Sequence, residues 1–172
     1  MLTEIAFILD RSSSMETVRQ AAIHRFNEFL LHHQAAPGHT RLTLVLFGDW
    51  IETHYHSIPI CEALPLNRKT YVPASSCSLL DAIGDTMEVL GQRFATLPEA
   101  HRPDQVIIAI LTDGQENSSQ RFTRKQLASD IAHQTQKHQW KFLFLGAGQD
   151  AITPATPHHP HGLTSKKSDL EV

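Results

Sequence analysis

The apolar run Ile5-Ala6-Phe7-Ile8-Leu9 does not alternate with polar residues. A strand of that kind has both faces covered, as in the middle of a parallel sheet. Val106 to Leu111 has the same character, and Arg41 to Phe47 and Trp140 to Leu145 read as two further strands. Amphipathic segments lie between them. Over residues 15 to 33, Val18, Ala22, Phe26, Phe29 and Leu30 share one helical face. Leu80, Ile83, Met87, Leu90 and Phe94 step by three and four along a second helix, and Thr123 with Gln126 can cap a third. Strands alternating with helices predict an α/β fold: a doubly wound, mostly parallel open sheet with helices on both faces.

One strand breaks the parallel pattern. Gly48-Asp49 is all that separates the second strand from Trp50 to His56. So short a connection predicts a hairpin, hence one antiparallel strand at an edge. His54 and His56 share a face of that strand, but nothing nearby completes a metal site, and they read as solvated. Residues 57 to 76 read as irregular.

The chain is long enough for one domain with a real core: 172 residues, 41% of them hydrophobic. A formal net charge of -3 argues against a nucleic-acid partner held by a basic face. No apolar run approaches the ~18 residues of a membrane span. Cys61 and Cys77 make neither a disulfide framework nor a zinc cluster. The first strand starts within a few residues of Met1, leaving no room for a signal peptide, so a cytoplasmic, reducing location is expected.

The polar residues that carry chemistry stand where strands end. Asp10-Arg11-Ser12-Ser13-Ser14 follows the first strand, and Thr112-Asp113-Gly114 follows Leu111. Ligands gather at the carboxyl ends of strands in such sheets. If these two strands are neighbours, two carboxylates and the Ser12 and Ser14 hydroxyls converge. Carboxylates that close repel unless a cation or proton lies between them. Hard oxygen donors suit Mg²⁺. A plainer reading coexists with it: Ser13 with Glu16, and Ser78 with Asp81, both have capping-box spacing.

Asp10-x-Ser12-x-Ser14 after one apolar strand, with Leu111-Thr112-Asp113-Gly114 after another, resembles a von Willebrand factor A-type domain. Leu79 to Gly84 is similar to the helix after that family's third metal loop, and the likeness spans residues 3 to about 152. It implies a Rossmann-like fold and a metal-ion-dependent adhesion site. There Mg²⁺ or Mn²⁺ takes a carboxylate, Asp or Glu, from a protein partner. Asp10, Ser12 and Ser14 would then be direct or water-mediated ligands, with Asp113 a further carboxylate beside the ion.

Two departures stand out. Cys77 occupies the place where the family usually has Thr, and a thiol suits Mg²⁺ poorly; Ser76 or Ser78 is the alternative donor. The chain after residue 152 runs into a Pro/His-rich segment, 153–172, instead of another strand and helix, and is expected to be a loose tail. Residues 140 to 145 would then form an open sheet edge, able to self-associate or accept a partner strand.

The expectation is a metal-dependent protein-interaction module without enzymatic activity. One alternative is a degenerate module that binds partners without metal. Another is a phosphoryl-transfer enzyme of the haloacid-dehalogenase type, which wants a second Asp where this chain has Ser12. No Gly-x-Ser-x-Gly elbow supports a serine hydrolase.

Overall fold

The computed structural model describes residues 1–114 and 116–147. Its single sheet contains β1 (Leu2–Asp10), β2 (His39–Phe47), β3 (Ile51–Pro59), β4 (Gln105–Thr112) and β5 (Lys141–Gly146). Their order is β3-β2-β1-β4-β5, and only the β2–β3 pair is antiparallel. Helices α1 (Arg19–Ala35), α2 (Leu79–Thr96) and α3 (Arg124–His138) and three short 3₁₀ segments complete the described elements. The mixed, mostly parallel sheet with one antiparallel edge is the architecture that the non-alternating runs predict.

Alternate residues of β1 serve different cores. Ile5, Phe7 and Leu9 pack with Ala22, Phe26 and Leu30 of α1, whereas Ala6 and Ile8 pack with Ile83, Met87 and Leu90 of α2. This double coverage is why the run shows no alternation. Phe7 meets Phe26 edge-on, with ring centroids 5.0 Å apart, a favourable aromatic geometry.

The chain goes from β1 to β2 on one side, while β4 pairs with β1 on the other. The strand order therefore reverses at β1. Leu9 lies opposite Leu111, so Asp10 and Thr112 end the two strands side by side.

Several local expectations need correction. Residues 15 to 33 are not one helix: a 3₁₀ segment, Ser13–Val18, precedes α1. The Ser13–Glu16 capping box does not form, because Ser13 Oγ donates to Ser75 O (2.9 Å) and Glu16 pairs with Arg19 (3.3 Å). The Ser78–Asp81 box does not form either, because Ser78 Oγ donates to Gly48 O (2.6 Å). The first N–H groups of α2 are met from another loop: Leu80 N donates to Glu116 and Ser119, and Asp81 N to Ser119. Strand β3 runs on to Pro59, past register shifts on either side of Leu44 and past Ser57 at φ 48°.

The third cap forms as the sequence predicts. Thr123 Oγ1 accepts Gln126 N–H, and the Gln126 side chain accepts Thr123 N–H. Thr123→Ala should cost about 1 kcal/mol in denaturant melts, with amide exchange rising first at the start of α3. Unchanged stability and exchange would mean that packing of Leu127 alone holds this end.

At the other edge, no strand lies beyond β5 among the described residues. Phe144 there is 54% exposed. The expected tail lies outside the described residues. Among those described, no helix is long and apolar enough to cross a membrane.

Candidate metal centre

Asp10 is fully buried at the end of β1. Its Oδ1 accepts Ser12 N–H (2.8 Å), and its Oδ2 accepts the Thr112 hydroxyl (2.7 Å) and the Cys77 thiol (3.5 Å). The carboxylate is thus held from three segments: the turn after β1, the last residue of β4 and the loop before α2. Tyr71, itself buried, donates its hydroxyl to the Asp10 carbonyl (2.5 Å). Burial, then the Asp10 charge, drives the Tyr71 phenol well above its ordinary range, so it is a permanent donor.

Two hydroxyls lie beside this carboxylate. Ser12 Oγ and Ser14 Oγ are 3.1 Å apart. Adjacent ligands of an octahedral Mg²⁺ at about 2.1 Å stand roughly 3 Å apart, so the pair suits such an ion. Asp113, half-buried after β4, brings a second carboxylate. Its charge raises the pKa of both Tyr71 and Cys77, which places it in the same field as Asp10.

The structure resolves which of the three candidates in the loop before α2 faces this point. Cys77, 1% exposed, is the one against Asp10. Burial, then the neighbouring Asp10 charge, pushes its thiol up to about 12, so it stays protonated at neutral pH. Ser76 Oγ instead donates to Asp49 Oδ1 and lies in hydrogen-bond contact with Ser118 Oγ (3.0 Å). Ser76 also gives Asp49 its backbone N–H, and the two bonds hold that carboxyl below its usual range. Ser78 Oγ, bonded to Gly48 O, serves the β2–β3 turn. A Cβ at Gly48 would collide with Ser75 Oγ, which would have to turn away and give up the Asp49 N–H that it accepts (3.0 Å).

The oxygen donors fit a hard divalent cation, and the thiol is the donor that does not. Among the described residues, no group of three His, Cys, Asp or Glu side chains is placed to hold a metal. Any coordination here would therefore lean on the serine hydroxyls. Sequence reasoning gave no role to Thr112, Tyr71 or Glu116. Thr112 stands beside Asp113 in the sequence, but nothing local tells that its hydroxyl turns to Asp10.

At the rim, the Arg11 guanidinium lies 5.1 Å over the Trp50 ring and pairs with Glu52 (3.0 Å). Trp50 is 58% exposed. The strand-end site is therefore bordered by an aromatic residue on the β2–β3 turn.

No family model and no curated protein matches the sequence. Solved structures do. The crystal structure of manganese-loaded Plasmodium vivax TRAP protein is similar over 86% of this chain and 58% of that one, with TM-score 0.64 and 22% identity. Three N-terminal domains of the type V pili tip protein Mfa5 from Porphyromonas gingivalis match over 72% of this chain and 22% of that one (TM-score 0.53, 15% identity). Proximal thread matrix protein 1 from the mussel byssus matches over 84% and 35% (TM-score 0.52, 16% identity). At these identities the likeness shows the fold alone: a mostly parallel α/β sheet with one antiparallel edge, consistent with the von Willebrand factor A type. The chain spans 58% of the TRAP chain that it matches.

Proposed function

We propose that this chain is a protein-interaction module whose strand-end site holds Mg²⁺ or Mn²⁺ and engages an Asp or Glu carboxylate of a partner. The observation that carries the reading is the Ser12–Ser14 hydroxyl pair, 3.1 Å apart, beside the buried Asp10 carboxylate and Asp113. Ser12, Ser14 and Asp113 would hold the ion, with Asp10 acting directly or through water. When bound, the ion would supply an open coordination position for a carboxylate oxygen. Trp50 and Arg11 lie where a partner would touch down, and these residue types dominate interface energetics. The manganese in the TRAP structure and the pilus-tip role named for Mfa5 support this reading by analogy of fold.

The reading includes no turnover. The position two residues after Asp10, where the dehalogenase-type mechanism wants a second acid, is Ser12. The test is a Mn²⁺ titration followed by the electron paramagnetic resonance of the free ion. One saturable site is expected. Its absence would leave the metal-free module, which the Cys77 thiol against Asp10 specifically favours.

Cys77→Thr separates the two readings further. A hydroxyl at this point replaces a soft, protonated donor with a hard one. Mn²⁺ should bind about tenfold tighter in the variant. An unchanged affinity would assign Cys77 to packing alone, and a weaker one would mean that the thiol itself supports the site.

A further inference from the structure

The two edges of the sheet meet solvent differently. β3 carries Glu52, His54 and His56, shifts register on either side of Leu44, and passes Ser57 at φ 48° before ending at Pro59. Charges, bulges and proline keep an edge strand from pairing with another chain. β5 has no proline, and its register with β4 is unbroken from Lys141 to Gly146. Its one charge, Lys141, stands at its first position, and Phe142-Leu143-Phe144-Leu145-Gly146 follows.

The ladder to β4 fixes which backbone groups of β5 face outward. Gly146 lies opposite Thr112, and Ala147 N–H donates to Thr112 O (3.0 Å). In a parallel ladder the N–H and C=O of one residue point to the same side, and successive residues alternate. Lys141, Leu143, Leu145 and Ala147 therefore bond toward β4. Phe142, Phe144 and Gly146 present their backbone groups outward, where no strand among the described residues meets them. The side chains of Phe142 and Phe144 share the α2 face of the sheet. Phe142 packs into the core there, whereas Phe144 is left 54% exposed.

This outward set is symmetric: Phe144 stands midway between Phe142 and Gly146. A twofold interface needs a patch that complements itself. We propose that β5 is such an interface, at which two copies of this chain join antiparallel β5 strands about an axis at Phe144. Phe144 then lies opposite Phe144 of the second copy, and Phe142 lies opposite Gly146 of the second copy. Each is a pair that exchanges both backbone bonds, so every outward group of the strand is met. The Cα atoms of such a pair are about 5.5 Å apart, and the two exposed Phe144 rings cover each other on one face. An axis at Leu143 would instead set Gly146 against Trp140, whose N–H is already given to Gln134 O (3.2 Å). An axis at Leu145 would carry Phe142 past the end of the strand. Charge favours the same arrangement. Antiparallel pairing holds the two Lys141 ammonium groups at opposite ends, whereas parallel pairing would set them side by side. The interface uses no residue of the metal centre. A pairing this short buries little area, so a dissociation constant of about 10–100 µM is expected.

Sedimentation equilibrium of the full chain from about 1 to 500 µM should show monomer passing to dimer, with no larger species. Amide exchange at Phe142, Phe144 and Gly146 should slow as the concentration rises, while Leu143 and Leu145, bonded to β4, stay unchanged. Phe144→Lys and Phe144→Glu alter an exposed position and should keep native circular dichroism. Each should weaken association by at least about tenfold, because like charges then meet on the axis. An equimolar mixture of the two variants should associate at least about fivefold more tightly than either alone, since opposite charges now face each other. No other register sets position 144 against itself. The proposal is overturned by a chain that stays monomeric over this range, by a dimer that Phe144→Lys leaves unweakened, or by a mixture no tighter than its components. It is also overturned by protection of the outward amides in the monomer, which would mean that residues 148–172 cover this edge.

Discussion

Asp10→Asn should lower Mn²⁺ affinity by at least about 100-fold while leaving a folded protein. The carboxylate takes one backbone N–H, one hydroxyl and one thiol, and it lies beside the Ser12–Ser14 pair. Asparagine keeps the size but loses the charge, and its amide nitrogen would face donors where an oxygen now accepts. Both effects loosen Ser12 and remove the negative field that favours a cation. Asp10→Ala goes further. It leaves the Ser12 N–H and the Thr112 hydroxyl without their acceptor in a buried place, which should cost about 2–4 kcal/mol of stability. Mn²⁺ titration of the asparagine variant, with circular dichroism confirming its fold, is the informative measurement. Parent-like affinity in that variant would remove the strand-end site as described, whatever the alanine variant does.

Much of this arrangement can be read from particular residues. Ile5 to Leu9 shows a doubly covered strand because each neighbour feeds a different core. Gly48-Asp49 shows the hairpin because no longer connection fits. Asp10 ends β1 and Asp113 follows β4, strands that the topology makes neighbours, so placing both residues at the same end of the sheet needs only the strand order. What could not be read is where hydroxyls in irregular loops turn. Ser13, Ser76 and Ser78 all had spacing suited to a cap or a ligand. Their actual partners, Ser75 O, Asp49 and Gly48 O, are 62, 27 and 30 residues away. A cap signal uses only local sequence, so a distant acceptor can override it. Cys77 was legible as an anomaly, but its contact with Asp10, across 67 residues, was not.

The same kind of long-range partner decides the fate of Asp81. Its spacing from Ser78 suits the distal member of a helix cap, and instead it organises the loop between β4 and α3. Its carboxylate accepts the backbone N–H groups of Gln120 (2.8 Å), Arg121 (2.9 Å) and Phe122 (2.9 Å). The Phe122 ring then packs onto Gly84, where any Cβ would collide with it. In return, Glu116 and Ser119 of that loop meet the first N–H groups of α2. Asp81→Ala would undo both halves of this exchange. With hydrogen bonds to a charged acceptor worth about 1.5–3 kcal/mol each, and part of that recovered by water, a loss of about 3 kcal/mol is expected. The pH dependence carries the sign. Burial alone would raise the Asp81 pKa, but the N–H groups of Gln120, Phe122 and Arg121, with the Arg121 charge, outweigh it and hold the pKa below its ordinary value. A carboxyl whose folded pKa is depressed contributes stability that is present above the unfolded value, about 3.9, and is lost as pH falls through the folded one. Denaturant melts between pH 7 and pH 2 should therefore show the parent losing stability below about pH 4 faster than Asp81→Ala, the two curves converging in acid. Parallel curves would mean that the three N–H bonds contribute nothing specific to the charged form, and that Phe122 packing against α2 holds the loop instead.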